Sequence, residues 1–250
     1  RMAVLGPKRS VRRKTIRGKV SLIGFSILGK QLYLCQECSS FRVNSTMRNR
    51  PLILGVTGSI ASGKTSVATA FEKYGAALVS ADQLARDIVQ PGSIVLSQLV
   101  ERFGKKILTD VGALDRERLA QIVFTDEQAR DDLNRMTHPA IGRLAFERLQ
   151  EHVDAGGPLV VYEAPLLFEA GAEQRVDRVL VVKIDPDIQL QRLMVRDGLN
   201  EAEARQRVNA QMSQEEKLAR ADFMIDNSGS PEETLRQVGM LWQILTAEEE

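Results

Sequence analysis

The sequence predicts an α/β fold of three layers, in which a five-stranded parallel sheet lies between helices and carries a long helical insert. Three observations predict it. Short apolar runs alternate with stretches of helical periodicity, the order that builds parallel strands with right-handed crossovers. One strand-to-helix junction, Gly58-Ser-Ile-Ala-Ser-Gly63-Lys64-Thr65, fits the G-x-x-x-x-G-K-[ST] phosphate-binding loop. Between the second and third strands lie about seventy residues of helical pattern, too many for a simple crossover. The class expected is therefore the P-loop NTPase type.

Each element has a local reason. Leu52, Ile53, Leu54 and Val56 form an apolar run typical of a strand buried on both faces. Val67, Ala68, Ala70 and Phe71 then recur with helical spacing. Ala76 to Ser80 reads as a second strand, and Asp82 to Val89 as a helix with Ser80 or Asp82 near its N-cap. Pro91-Gly92 breaks that helix. Ile94 to Phe103 is amphipathic and stops at Gly104. Asp115 starts a helix through Leu119, Ile122 and Val123. Thr125 and Gln128 have capping-box spacing for another, expected to run to about Thr137. His138-Pro139 is expected as a junction before a long helix from Ala140 to near His152. Leu159 to Glu163 is a third strand and Asp177 to Ile184 a fourth. Ile188 to Arg196 and Glu201 to Met212 are helical. Phe223 to Ile225 is a fifth strand, and Pro231 opens the last helix.

The loop carries its own chemistry. Glycines let backbone N–H groups close around phosphate oxygens, and the helix N-terminus adds partial positive charge. The binding residues expected are Gly58, Ser59, Ile60, Ala61, Ser62, Gly63, Lys64, Thr65 and Ser66. Lys64 can reach the outer phosphates of a nucleoside triphosphate, and the Thr65 hydroxyl can ligate Mg²⁺. Asp82 follows the second strand at the carboxyl edge of the sheet. A carboxylate there either caps the helix or orients an acceptor hydroxyl and takes its proton. Arg192 and Arg196 share a helix face, either as cations for a γ-phosphate or as a solvated charged face. His138 and His152 are the only histidines, too few for a metal site without clustered acids or cysteines. Glu163 either holds Mg²⁺ through water or is a strand-end acid.

Composition bounds the rest. Apolar content of 43% and charged content of 27% suit a soluble globular chain, and no apolar run approaches bilayer-spanning length. Residues 1–46 hold ten Lys or Arg and one acid, leaving 24 basic and 32 acidic residues in 47–250. A body of net charge −8 argues against general nucleic-acid binding. The basic front segment fits a targeting peptide, a secretory signal or a non-native extension with Met47 as the true start. The last is the expectation, with 1–46 a disordered or non-native extension and 47–250 the domain. Cys35 and Cys38 form a lone C-x-x-C without a second pair, read as incidental. The absence of other cysteines fits a reducing compartment.

With these segments in order, the chain resembles the dephospho-coenzyme A kinase family. The residues that carry the resemblance are Val56 to Thr65, Ala81-Asp82-Gln-Leu-Ala-Arg86, Gln90-Pro-Gly92, His138-Pro139 and Ala164-Pro-Leu-Leu-Phe-Glu169. Arg192 to Arg196, Gln211 and Ala221-Asp222 to Gly229 continue it. The resemblance implies transfer of the ATP γ-phosphate to the ribose 3′-hydroxyl of dephospho-coenzyme A, with Mg²⁺, in the cytoplasm and as a monomer. It implies a catalytic carboxylate at Asp82, a threonine beside the reacting phosphate at Thr57, a lid arginine at Arg192, and an adenine-side turn at Asn227 to Gly229. The insert, about 84–152, would hold the coenzyme A moiety, and 188–218 would be a helical lid. Two departures are Ser80-Ala81-Asp82 where the family often has Asp-Ala-Asp, and Gly58-Ser59 where it usually has Gly-Gly. The alternatives are a nucleoside or nucleotide kinase with another acceptor, or a nucleotide switch. No Asn-Lys-x-Asp guanine motif is present for the latter.

Overall fold

The computed structural model describes residues 50–247 in full and the backbone of Val11–Ile16 (β1), Val20–Ile27 (β2) and Lys30–Cys35 (β3). Cys38, Met47 and the Cys35 side chain lie outside the described residues. The remaining strands are Leu52–Thr57 (β4), Ala77–Ser80 (β5), Leu159–Glu163 (β6), Arg178–Lys183 (β7) and Phe223–Asp226 (β8). The helices are Lys64–Lys73 (α1), Ala81–Asp87 (α2), Ile94–Phe103 (α3), Arg116–Thr125 (α4), Glu127–Ala155 (α5), Pro186–Asp197 (α6), Glu201–Asn209 (α7), Gln214–Ala219 (α8) and Pro231–Thr246 (α9).

Strand order is β1-β2-β3-β8-β7-β4-β6-β5. The five strands expected, β4 to β8, are all parallel to one another. Three more, antiparallel, extend the β8 edge from the segment that the sequence placed outside the domain. They meet β8 at Leu34 and Phe223. An uncovered edge strand offers unpaired backbone groups to such an addition.

The pleat sorts the core. Leu52, Leu54 and Val56 of β4, with Leu180 and Val182 of β7, pack under Val67 and Phe71 of α1 and Val238 and Leu241 of α9. Ile53, Val179 and Val181 face the other way, toward Ala145 and Leu149 of α5, Tyr162, Leu167 and Phe168. Both faces of the central strand are therefore buried, as its unbroken apolar run requires. Gly55 of β4 belongs to this close fit, since a Cβ there would lie 3.0 Å from Leu167 and from Val176.

The insert has its own apolar centre of Ile88, Val89, Leu99, Phe103, Ile107 and Leu119, closed by Ala129 of α5. Here the sequence expectation is corrected. The helices expected on either side of His138-Pro139 are one helix of 29 residues with Pro139 inside it. Both His138 and Pro139 are exposed. Pro139 removes one backbone hydrogen bond, but Met136, Ala140, Ile141 and Leu144 pack without interruption along the same side. Tertiary packing outweighs the local signal. Its N-cap is Asp126, whose carboxylate accepts the Ala129 N–H at 3.0 Å. Thr125, the expected cap, ends α4 instead. The helix expected over Glu201 to Met212 stops at Asn209, and α8 follows it with a capping box of Ser213 and Glu216.

Because Pro139 is exposed and mid-helix, Pro139→Ala restores a backbone donor without removing a contact. The net expectation is stabilisation by about 2–2.5 kcal/mol, the interior helical cost less the unfolded-state entropy. A thermal midpoint equal to or below the parent's would contradict it.

Candidate active site

β4 delivers Thr57 at its end, and α1 begins at Lys64, so residues 58–63 must turn the chain between them. Glycine is required at two points. Gly58 has φ +154°, and a Cβ there would sit 2.5 Å from the Val182 carbonyl oxygen. Gly63 has φ +86°, and its Cβ would lie 2.1 Å from Asn227 Nδ2. The Ser62 N–H closes the turn on the Ser59 carbonyl at 3.1 Å. The Ser62 hydroxyl is buried with no hydrogen-bond partner among the described residues. The Asn227 amide donates to the Ser62 carbonyl at 2.8 Å and accepts from the Thr234 hydroxyl at 2.8 Å. This side chain thus braces the loop from β8 and α9.

Lys64 is 8% exposed, and its ammonium donates to the Ser59 carbonyl at 3.0 Å. Burial lowers its pKa from 10.5 to about 8; Glu163 opposes this, Lys217 adds to it, Asp82 opposes it and Arg196 adds to it. Thr65 Oγ1 donates to Glu163 Oε1 at 2.6 Å. Asp82 stands in the first turn of α2, exposed. The N-cap there is Ser80, and no side chain caps the helix. Among the described residues Asp82 makes no hydrogen bond or ion pair, yet its charge is felt at Lys64. The cap reading of Asp82 therefore falls away. Thr57 is fully buried and donates to the Pro165 carbonyl at 3.2 Å.

A cleft of about 1020 Å³ opens beside the loop. Ala61, Gly63, Lys64, Thr65 and Ser66 form its floor, Arg192 and Arg196 of α6 one wall, and Asn227 and Gly229 the other. Nine of the expected residues are thereby brought together. Gly58, Ser59, Ile60 and Ser62 shape the loop without lining the cleft. Thr57 and Asp82 do not line it either. Asp82 follows β5, whose last residue Ser80 pairs with Glu163 of β6, on one side of β4 in the sheet, whereas α6 and the β8–α9 turn follow β7 and β8 on the other side. Arg192 is half-buried and free of ion pairs among the described residues. Arg196 is exposed and held by Asp197 at 2.7 Å, and Arg207 joins the same carboxylate at 2.8 Å.

Sequence reasoning missed Lys217. It is fully buried, with its ammonium on Glu169 Oε1 at 2.8 Å and on the Pro165 carbonyl, which also receives Thr57, at 3.0 Å. Its helix carried a legible signal in the Ser213-x-x-Glu216 capping box. Among the described residues no cluster of three or more His, Cys, Asp or Glu could hold a metal ion. Nor is any of their helices long and apolar enough to cross a membrane.

The family model described as dephospho-CoA kinase matches residues 52–233. A dephospho-CoA kinase of Syntrophotalea carbinolica is 56% identical over 187 residues, covering 75% of this chain and 89% of that one. One from Geobacter sulfurreducens is 50% identical over 190 residues, covering 76% and 96%. Among solved structures, dephospho-CoA kinase from Campylobacter jejuni superposes with a TM-score of 0.62 at 31% identity, covering 78% of this chain and 96% of that one.

Two outcomes follow from the loop. Gly63→Ala forces Asn227 aside at a left-handed backbone position, so nucleotide binding is lost in calorimetry while the far-UV spectrum is kept. The second concerns protons. Lys64 titrates near pH 8 in the free protein, and a bound triphosphate favours its charged form. Binding above pH 8 therefore takes up a proton, and affinity for ATP falls as pH rises through that value. Calorimetry in two buffers of different ionisation heat, from pH 7 to 9.5, reads the uptake directly. Equal heats across the range would contradict it.

Proposed function

The chain belongs to the dephospho-CoA kinase family, and on that premise we propose which of its residues carry the reaction. The reaction is the ATP-dependent phosphorylation of the ribose 3′-hydroxyl of dephospho-CoA, giving CoA and ADP, the final step of CoA synthesis. The observation that carries the assignment of roles is that Lys64 lines the cleft bearing Arg192 and also feels the charge of the Asp82 carboxylate. The triphosphate occupies the loop and its cleft, with the adenosine toward Asn227 and Gly229. Dephospho-CoA enters from the Asp82 side, its CoA moiety against the insert of about 84–152.

In the transfer, the 3′-oxygen forms a bond to the γ-phosphorus as the bridging bond to the β-phosphate breaks. ADP leaves, and the hydroxyl proton passes to Asp82. Catalysis of this kind is mostly positioning and charge stabilisation. Lys64 and Arg192 cover the phosphoryl oxygens, with Arg196 at the cleft mouth, and the loop N–H groups hold the β-phosphate. Thr57 stands beneath the reacting phosphate. The buried Glu163 carboxylate and the hydroxyl of exposed Thr65, in contact, are a hard oxygen donor set suited to Mg²⁺. Thr65 would hold the ion directly and Glu163 through water. When bound, Mg²⁺ supplies neutralisation of phosphate charge. We assign residues 188–218 as a lid that excludes water. A monomer and the cytoplasm are what the family resemblance implies, and the need for ATP supports the second.

Asp82→Asn is expected to lower kcat by about 10²–10⁴-fold, the usual worth of a general base, with the KM for ATP little changed. Coupled ADP release checks it, and near-normal turnover would remove Asp82 from the mechanism. Product mass from dephospho-CoA, AMP and deoxynucleosides, each with ATP and Mg²⁺, tests the acceptor. Product from nucleosides alone would favour a nucleoside kinase.

A further inference from the structure

One residue of the phosphate loop is gripped through both of its backbone polar groups by side chains remote in sequence. The Ile60 N–H donates to Gln211 Oε1 at 2.8 Å, and Gln189 Nε2 donates to the Ile60 carbonyl at 2.7 Å. Gln189 lies on α6 and is 5% exposed; Gln211 lies between α7 and α8. The same loop tip is the floor of a small apolar centre. Ile60 and Ala61 pack against Leu190 and Leu193 of α6 and Ala204 of α7. Ala61 is the one non-glycine at positive φ among the described residues, at +60°. A residue held there needs its neighbours to fix it.

Gln189 is also one turn from Arg192 and two from Arg196, which wall the cleft. Fixing Gln189 on Ile60 fixes the rotation and height of α6 relative to the loop, and with them the place of those guanidinium groups. From this geometry we propose that Gln189 and Gln211 are positioning residues, a pair of amides that register the arginine-bearing helix on the phosphate loop. The proposal deepens the reading of this cleft as the site of phosphoryl transfer and rests on it.

The chemistry of a peptide makes the test polar rather than steric. The Ile60 N–H needs an acceptor, which Glu supplies as well as Gln. The Ile60 carbonyl needs a donor, which Glu at neutral pH does not supply. Gln211→Glu therefore keeps kcat within about threefold, whatever its added charge does to the KM for ATP. Gln211→Met, Gln189→Met and Gln189→Glu lower kcat about tenfold or more with a smaller change in KM, the mark of misplaced transition-state contacts. The double Met variant costs little more than either alone, because the two amides hold the same residue, Ile60, through its N–H and its carbonyl.

The experiment is steady-state kinetics of these five variants with ATP, Mg²⁺ and dephospho-CoA, each checked for a cooperative thermal transition. It is run beside hydrogen exchange of the wild-type chain with and without ATP. Gln211→Met with unchanged kcat overturns the proposal, as does equal behaviour of Glu at 189 and 211. Should a Met variant not fold, the exchange data decide. Joint protection of 59–62 and 188–196 on adding ATP supports the clamp, and protection of the loop alone overturns it. Failure of the parent reading is separate, since there the wild-type chain itself makes no CoA.

Discussion

A cation buried before any phosphate arrives is the constraint on which the rest of this structure depends. Lys64 begins a helix beneath the loop, and among the described residues its ammonium has only the Ser59 carbonyl as a direct partner. Such a group is costly to desolvate, and its lowered pKa records that cost. The neighbourhood limits it with charge rather than contact. Glu163 and Asp82 come from the ends of two adjacent parallel strands, which a parallel sheet delivers to one edge. Lys217 and Arg196 act in the other direction, so the ammonium is left poised for an anion rather than neutralised by a carboxylate.

The same edge separates two tasks. On one side of Lys64 the loop, α6 and the β8–α9 turn form the wide cleft. On the other, Asp82 makes no hydrogen bond among the described residues, in the first turn of a helix that has no side-chain cap. Asn227 serves the first side by holding Ser62, and Pro165 serves the second by receiving both Thr57 and Lys217. None of these bracing contacts is made within one element. Each joins the loop or strand end to a segment at least fifty residues away, apart from the Lys64 contact itself.

That distance explains what was legible in the sequence and what was not. The loop, the five parallel strands and most helix limits follow from local pattern: apolar runs, glycine positions, and caps such as Asp115. The nine cleft residues were legible because the motif and the ordered family resemblance name them. Lys217 was not, because a lysine in a polar helical stretch reads as surface until the fold buries it. Gln189 was missed for the same reason. Pro139 misled, since its local preference is to end a helix and only the packing of Met136, Ala140 and Ile141 shows that the helix continues. The three front strands exceed the count because an edge of the sheet, invisible to local pattern, was available to them.

The unbroken α5 has a mechanical consequence. At 29 residues it is a rod of about 44 Å that belongs to the insert at one end and to the sheet at the other. Two bodies sharing one beam do not hinge freely at the seam. On the assignment proposed above, the acceptor-side wall is in this sense cantilevered from the sheet, and adjustment to the two substrates is unequal: the donor side yields, while the acceptor meets a surface already set.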